Sequence, residues 1–209
     1  MTSYQRSLFD RVAEPAFDAC FRSLERTPLA LGAWLDHAPG WVIGQEHLFE
    51  TLLADAEWQE TEQHLYDQTV VTPRLIASIP EQSSALPLLE AMHVALSTRY
   101  GEDFTRVSLA LYRDGRDSVA FHGDRVAREL PEALVATVSL GGARRFQLRP
   151  RVAPADGQAR RSLSWPLSGG DLVVMGGSCQ RTWQHAIPKA KSASARIALM
   201  FRPTWQART

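Results

Sequence analysis

The sequence predicts a mainly β fold, a sandwich or jelly-roll core with helices packed outside it. Two observations carry this. Short apolar runs recur over 106–112, 117–122, 134–140, 145–149, 162–165, 171–175, 182–187 and 196–202, separated by turn signals such as RDGRD, GGARR, SGGD and GGS. Ahead of them, only two segments have helical periodicity. Eight short strands at this spacing are the pattern of a closed or double-sheet β architecture.

In chain order, residues 1–43 contain scattered Pro and Gly and read as an extended N-terminal arm. GQEHLFETLLADAEWQE then places Leu48, Leu52, Leu53 and Ala56 at helical spacing, which predicts a helix over about 45–56. VVTPRLIASIP combines β-branched residues with prolines and predicts a short edge strand or a loop. SSALPLLEAMHVALSTRYG opens with serine and ends in glycine. Leu88, Met92, Leu96 and Tyr100 form one stripe on it, predicting a second helix over about 86–99. The strand-rich region follows without a linker.

The bulk composition sets limits. At 209 residues, with 44% hydrophobic and 22% charged content, the chain can bury a sizeable core. No apolar run approaches the roughly 18 residues of a membrane span, and no apolar leader is visible near the N-terminus. Cys20 and Cys179 are far apart and form no CxxC, so both read as free thiols of a reducing cytoplasm. The net charge of zero hides an asymmetry. Residues 1–103 carry 16 acids against 6 arginines, and 104–209 carry 7 acids against 17 Lys and Arg. Arg144, Arg145, Arg149, Arg151, Arg160 and Arg161 lie close together, offset by Asp156 alone. Such a stripe suits phosphates; pairing between the acidic and basic halves accounts for it equally well.

SVAFHGDR, residues 118–125, puts His122 and Asp124 two positions apart at the end of an alternating run. Residues i and i+2 of a strand share a face. The pair reads as an ion pair, a catalytic couple or two metal ligands. Of the other histidines, 37, 47, 64 and 93 read as surface or packing residues, whereas His185 sits in a late strand. Two imidazoles and a carboxylate leave open positions that suit non-haem Fe(II), with zinc the competitor for the same ligands. Arg196 and Arg202 are an even number of residues apart on one strand and face the same side as Ala198 and Met200. Their planar forks suit the far carboxylate of a chelating dicarboxylate. Ser178 and Cys179 lack an oriented partner for nucleophilic catalysis. The glycine pairs lack a phosphate-loop pattern.

LYRDGRDSVAFHGD, VSLGGARRFQLR, GDLVVMGGSCQRTWQHAIPK and RIALMFR, in this order and spacing, resemble the AlkB-type Fe(II)/2-oxoglutarate-dependent dioxygenases. The resemblance extends over about residues 64–203. It implies a double-stranded β-helix (jelly-roll) core with helices outside. It also implies one domain over 1–209, with a helical and substrate-facing segment over 44–103 and a catalytic core over 104–203. His122, Asp124 and His185 match the iron ligands. Arg196 matches the arginine that pairs with the far carboxylate of 2-oxoglutarate. Arg202 matches the second arginine of that strand, beside the cosubstrate and the metal. Tyr112 matches a tyrosine that donates to 2-oxoglutarate. Arg74 in TPRL, and Tyr66 just before it, match a nucleotide-facing segment, with Tyr66 a stacking platform.

Three positions depart from the family pattern: Ala110 and Ala198 replace asparagines, and Val126 replaces an acidic residue that reads the damaged base. The implied function is oxidative demethylation of alkylated bases in DNA or RNA by a cytoplasmic monomer, using Fe(II), 2-oxoglutarate and O₂. Arg160 and Arg161 are the candidate phosphate contacts. The alternatives are the same chemistry on a protein or small molecule, and a non-enzymatic nucleic-acid-binding module.

Overall fold

The computed structural model describes residues 14–65, 68–124, 130–152 and 160–204, the backbone alone for 61–65 and 68–71. Two antiparallel sheets face each other, and a third of two short strands, Ala16–Phe17 with Val42–Ile43, stands apart from them. The strands are β1 (Ala16–Phe17), β2 (Glu25–Pro28), β3 (Ala33–Ala38), β4 (Val42–Ile43), β5 (Gln59–Leu65), β6 (Gln68–Ala77) and β7 (Arg106–Tyr112). They continue as β8 (Val119–His122), β9 (Val135–Gly141), β10 (Arg144–Pro150), β11 (Leu163–Leu167), β12 (Leu172–Gly177), β13 (Trp183–Ile187) and β14 (Arg196–Arg202). The large sheet runs β2-β3-β12-β9-β14-β7-β6-β5 and the small one β11-β10-β13-β8. This is the jelly-roll arrangement.

Two helices cover the outer face of the large sheet: α1 (Gln45–Asp55) and α2 (Leu86–Tyr100). Leu48 and Leu52 of α1, and Leu89, Met92 and Leu96 of α2, pack against Leu109, Leu111, Val138, Leu140, Ile197, Leu199 and Phe201. The alternate residues of the same strands, including Ala110, Tyr112 and Ala198, face the small sheet and meet Val119, Phe146, Leu148 and Ile187. The large sheet is thus covered on both faces. That is why RIALMFR has apolar residues at both phases of the alternation. Gly101 stops α2 with φ 70 and donates to Ser97 O, a left-handed cap that glycine adopts without a Cβ penalty. Ser83 ties the start of α2 to the end of α1 by donating to Asp55 Oδ2 at 2.6 Å.

Two expectations are corrected. From residue 14 the expected arm supplies four strands, and β3 is an interior strand between β2 and β12. Its sequence, AWLDHA, looks non-strand because Asp36 is fully buried in it. The charge is matched by Arg26, which donates to both carboxylate oxygens at 2.6 and 2.8 Å, and by the Tyr100 hydroxyl at 2.9 Å. The second correction concerns VVTPRLIASIP, most of which belongs to the ten-residue strand Gln68–Ala77, inside the sheet and not at its edge. Its Pro73 lies beyond the short ladder to β7, opposite a register shift between Glu60 and Glu62 of β5. A proline that donates no ladder bond is tolerated at such a bulge. The edge role falls to β5, QETEQHL, whose charged composition suits an edge.

Candidate active site

A cavity of about 630 Å³ opens between the two sheets. β14 contributes Arg196, Ala198, Met200 and Arg202 to its wall, the face expected from their even spacing. β7 adds Ser108, Ala110 and Tyr112, β6 adds Arg74 and Ile76, and the small sheet adds His122, Phe146 and His185. The exposed Asp55, Glu57, Gln59 and Gln82 stand at its rim.

His122 and His185 are direct partners across β8 and β13, with ring centroids 4.2 Å apart. The register slips between this pair and the next, Ile187 with Val119, so β8 has one extra residue there. A bulge re-aims a side chain, and here it turns His122 inward beside His185. His122 Nδ1 lies 2.9 Å from Ala120 O. A carbonyl only accepts, so Nδ1 has the proton and Nε2 keeps its lone pair. Burial lowers the pKa of both rings. That of His185 falls well below the ordinary value, helped by His122 and by the cations of Arg202 and Arg74. Both rings are therefore neutral at pH 7, the form a metal requires.

Asp124 follows the end of β8 rather than sharing its pleat. Its backbone N–H donates to Gln180 Oε1 at 3.0 Å, and its Oδ2 accepts from Arg202 Nε at 2.7 Å. Arg202 also donates to Ser108 Oγ at 3.0 Å. As placed, no three His, Cys, Asp or Glu side chains among the described residues form a metal-holding group. The structure brings the two imidazoles together and holds the Asp124 carboxylate on Arg202, on the His122 side. Oδ1 of Asp124 takes no hydrogen bond among the described residues. Two lone-pair imidazole nitrogens and a free carboxylate oxygen are a donor set that fits a divalent iron.

The anion end of the cavity shows a parallel fit. Arg196 is 1% exposed, and its Nε donates to Ser139 Oγ at 2.8 Å. Its Nη1 is buried without a partner, as is Nε of Arg74. An orphaned buried donor costs about 1–3 kcal/mol, so the Arg196 guanidinium suits a ligand with a carboxylate. Burial pushes the Arg196 pKa down to about 10.

Arg160 and Arg161 are exposed and do not line the cavity; Arg160 Nη1 donates to Arg151 O at 2.8 Å. Arg144, from the same basic run, is buried and donates to the carbonyls of Asp114, Asp117 and Pro188. Arg149 lies over the Phe121 ring at 3.9 Å. The run is thus partly structural. Tyr66 and Val126 fall outside the described residues. Sequence reasoning missed Gln180, which is 1% exposed and holds the Asp124 backbone. Its place five residues before His185 was the available signal.

This fold and this site define an iron- and 2-oxoglutarate-dependent oxygenase. A family model described as the 2OG-Fe(II) oxygenase superfamily matches residues 45–202, and the chain belongs to that superfamily. Its chemistry uses Fe(II), 2-oxoglutarate and O₂.

The chain is 30% identical over 185 residues to the alpha-ketoglutarate-dependent dioxygenase alkB homolog 3 of Bos taurus, covering 80% of this chain and 65% of that one. The human alkB homolog 3 is 29% identical, with the same shares covered. Human DNA oxidative demethylase ALKBH2 is 31% identical over 120 residues, covering 56% of this chain and 46% of that one. The chain therefore spans just under two thirds of the length of the alkB homolog 3 relatives.

Among solved structures, a 2OG-Fe(II) oxygenase family oxidoreductase from Burkholderia pseudomallei matches with TM-score 0.52 and 10% identity, over 83% of this chain and 85% of that one. The epimerase SnoN of nogalamycin biosynthesis matches with TM-score 0.51 and 18% identity, over 81% and 76%. These two share the fold.

Proposed function

We propose that this chain is a dioxygenase that oxidatively demethylates alkylated nucleobases in DNA or RNA. The observation that carries it is the cavity itself: opposed neutral imidazoles on one wall, and Arg196, Arg202 and Tyr112 on the other. His122, His185 and Asp124 would hold the iron. Bound there, Fe(II) with 2-oxoglutarate and O₂ supplies the oxidation that releases succinate, CO₂ and the alkyl carbon as an aldehyde.

The protein's own residues do the rest. Ala120 O fixes the His122 tautomer, and Arg202 fixes Asp124. Arg196 binds the far carboxylate, and Tyr112 donates to the cosubstrate. The cavity volume of about 630 Å³ lies within the usual range for small-ligand pockets, and a flipped base can enter it. The acids at its rim, Asp55 and Glu57, favour a ring made cationic by N-alkylation. The exposed Arg160 and Arg161 are proposed to meet phosphates outside the cavity.

The chain is read as a monomer with one domain over 1–209, its residues 44–103 facing the substrate. No helix among the described residues is long and apolar enough to cross a membrane. Both cysteines are free thiols, which supports a cytoplasmic site.

The test is succinate release by the iron-loaded protein with methylated and unmodified single-stranded oligonucleotides. Succinate formed together with loss of the methyl group is expected. Succinate without demethylation would move the reading to a protein or small-molecule substrate. No turnover with iron bound would leave a binding module.

A further inference from the structure

Three strands send an arginine toward one phenol. The guanidinium carbons of Arg196, Arg144 and Arg74 lie 5.3, 5.4 and 6.0 Å from the centroid of the Tyr112 ring. Among the described residues none of the three pairs with a carboxylate. Arg144 spends its donors on backbone carbonyls, and Arg196 donates to Ser139. Arg74 Nη1 donates to the Tyr112 hydroxyl at 3.0 Å, and its Nε is buried without a partner. The geometry of that bond has a consequence for Tyr112. A guanidinium cannot accept, so the phenol oxygen must. The phenol proton then points elsewhere, and the other nearby side chains, Arg144 and Arg196, cannot accept it either. An anion in the cavity can.

We infer that Arg74 is a positioning residue of the 2-oxoglutarate pocket: it holds the Tyr112 phenol as a donor toward the cosubstrate. This rests on the proposed cosubstrate site at Arg196. It differs from a contact to phosphate or base, which the place of Arg74 in the sequence suggests. Arg74 lines the cavity, and its bond to the Tyr112 hydroxyl turns the side chain inward, away from the rim. Arg74 also belongs to β6, whose end at Ile76 and Ala77 lines the rim side of the cavity. Occupancy of the cosubstrate site and the position of this strand are thereby linked, and linkage is reciprocal. A substrate that moves β6 alters 2-oxoglutarate affinity.

The test is calorimetric titration of 2-oxoglutarate into the full chain loaded with Mn(II), without nucleic acid. The variants are Arg74→Gln, Arg74→Lys, Tyr112→Phe and the double variant Arg74→Gln/Tyr112→Phe, each checked for native circular dichroism. Losing a charge-assisted hydrogen bond predicts weakening on the order of tenfold for Arg74→Gln and for Tyr112→Phe. The double variant should be no weaker than Tyr112→Phe alone, because Arg74 acts through the phenol. Arg74→Lys, which keeps a donor on a flexible stem, should recover part of the loss. Unchanged affinity in Arg74→Gln overturns the inference, as do fully additive losses in the double variant. Arg196→Met separates the two levels. If it too leaves binding intact, the cosubstrate site is misplaced; if only Arg74→Gln does so, the site stands and the role of Arg74 falls.

Discussion

Replacing Arg196 with methionine should make the empty protein more stable and the cosubstrate weaker. Arg196 is buried, and its pKa is lowered from 12.5 to about 10. The shift is downward for a cation, so the folded state disfavours the charge at every pH below about 10 and is relieved only as the pH rises through that value. At neutral pH the penalty is on the order of 3 kcal/mol. Methionine removes it but also removes the bond from Nε to Ser139 Oγ, worth about 1 kcal/mol. The net gain is about 2 kcal/mol, or roughly 4–8 °C in melting temperature for a chain of this size.

Binding moves the other way. A lost charge-assisted hydrogen bond weakens 2-oxoglutarate on the order of tenfold to a hundredfold. At a ligand concentration of about 100 Kd, wild type gains about 2.7 kcal/mol from binding. At that same concentration the variant gains only about 0.4–1.4 kcal/mol. The assay is a thermal melt of the Mn(II)-loaded protein with and without 2-oxoglutarate. A variant that melts below wild type without ligand, yet keeps the full ligand-induced shift, would show that Arg196 is a structural arginine and refute the reasoning.

Further predictions concern the metal and the nucleic acid. His122→Ala, His185→Ala and Asp124→Ala should each abolish Fe(II) binding and turnover, read by metal titration and succinate release. Because both imidazole pKa values are lowered from 6.5, metal affinity should stay flat through pH 6.5 and fall only at the more acid pH where the folded protein's rings take up protons. The metal-free fold should begin to lose stability earlier in the descent, just below about pH 6.5, since the unfolded chain takes up protons there first. Gln180→Ala, which frees the Asp124 backbone, should weaken Co(II) or Mn(II) by about 10–100-fold; unchanged affinity would reject a role for Gln180 in placing the carboxylate. Replacing both Arg160 and Arg161 with alanine should flatten the salt dependence of oligonucleotide binding by about 0.7 for each phosphate left without its arginine. An unaltered slope would remove both from the interface.

The strands that were legible in the sequence are short apolar runs set apart by turn or polar segments. All eight runs after residue 104 became strands, and Arg196–Arg202 lies where the pattern put it. The strands that were hidden carry polar residues whose partners are distant in sequence. Asp36 breaks the apolar rhythm of β3, and its charge is matched by Arg26 and Tyr100. Pro73 disguises β6 because the bulge that admits it shows only once β6 is paired with β5. The site followed the same rule. His185, Arg196 and Arg202 are readable because strand alternation fixes their direction, whereas His122 is aimed by the bulge in β8. The strand-sharing of His122 and Asp124 failed because β8 ends at His122 and has an extra residue before it. The basic run divides for a physical reason: adjacent arginines on a strand point to opposite sides, so Arg144 is buried while Arg145 is exposed.

The position of β14 in the large sheet constrains how the protein comes into being. This strand is the last made of all those described, yet it sits between β9 and β7, joining β2-β3-β12-β9 to β7-β6-β5. A nascent chain stopped before residue 196 holds two partial sheets with raw edges and, of the arginines that line the cavity, has Arg74 but neither Arg196 nor Arg202. Topology of such high sequence separation folds slowly and as a whole. The wall of the cavity opposite the imidazoles is therefore completed only when the closing strand enters. A chain without it holds its histidines but nothing that faces them from β14.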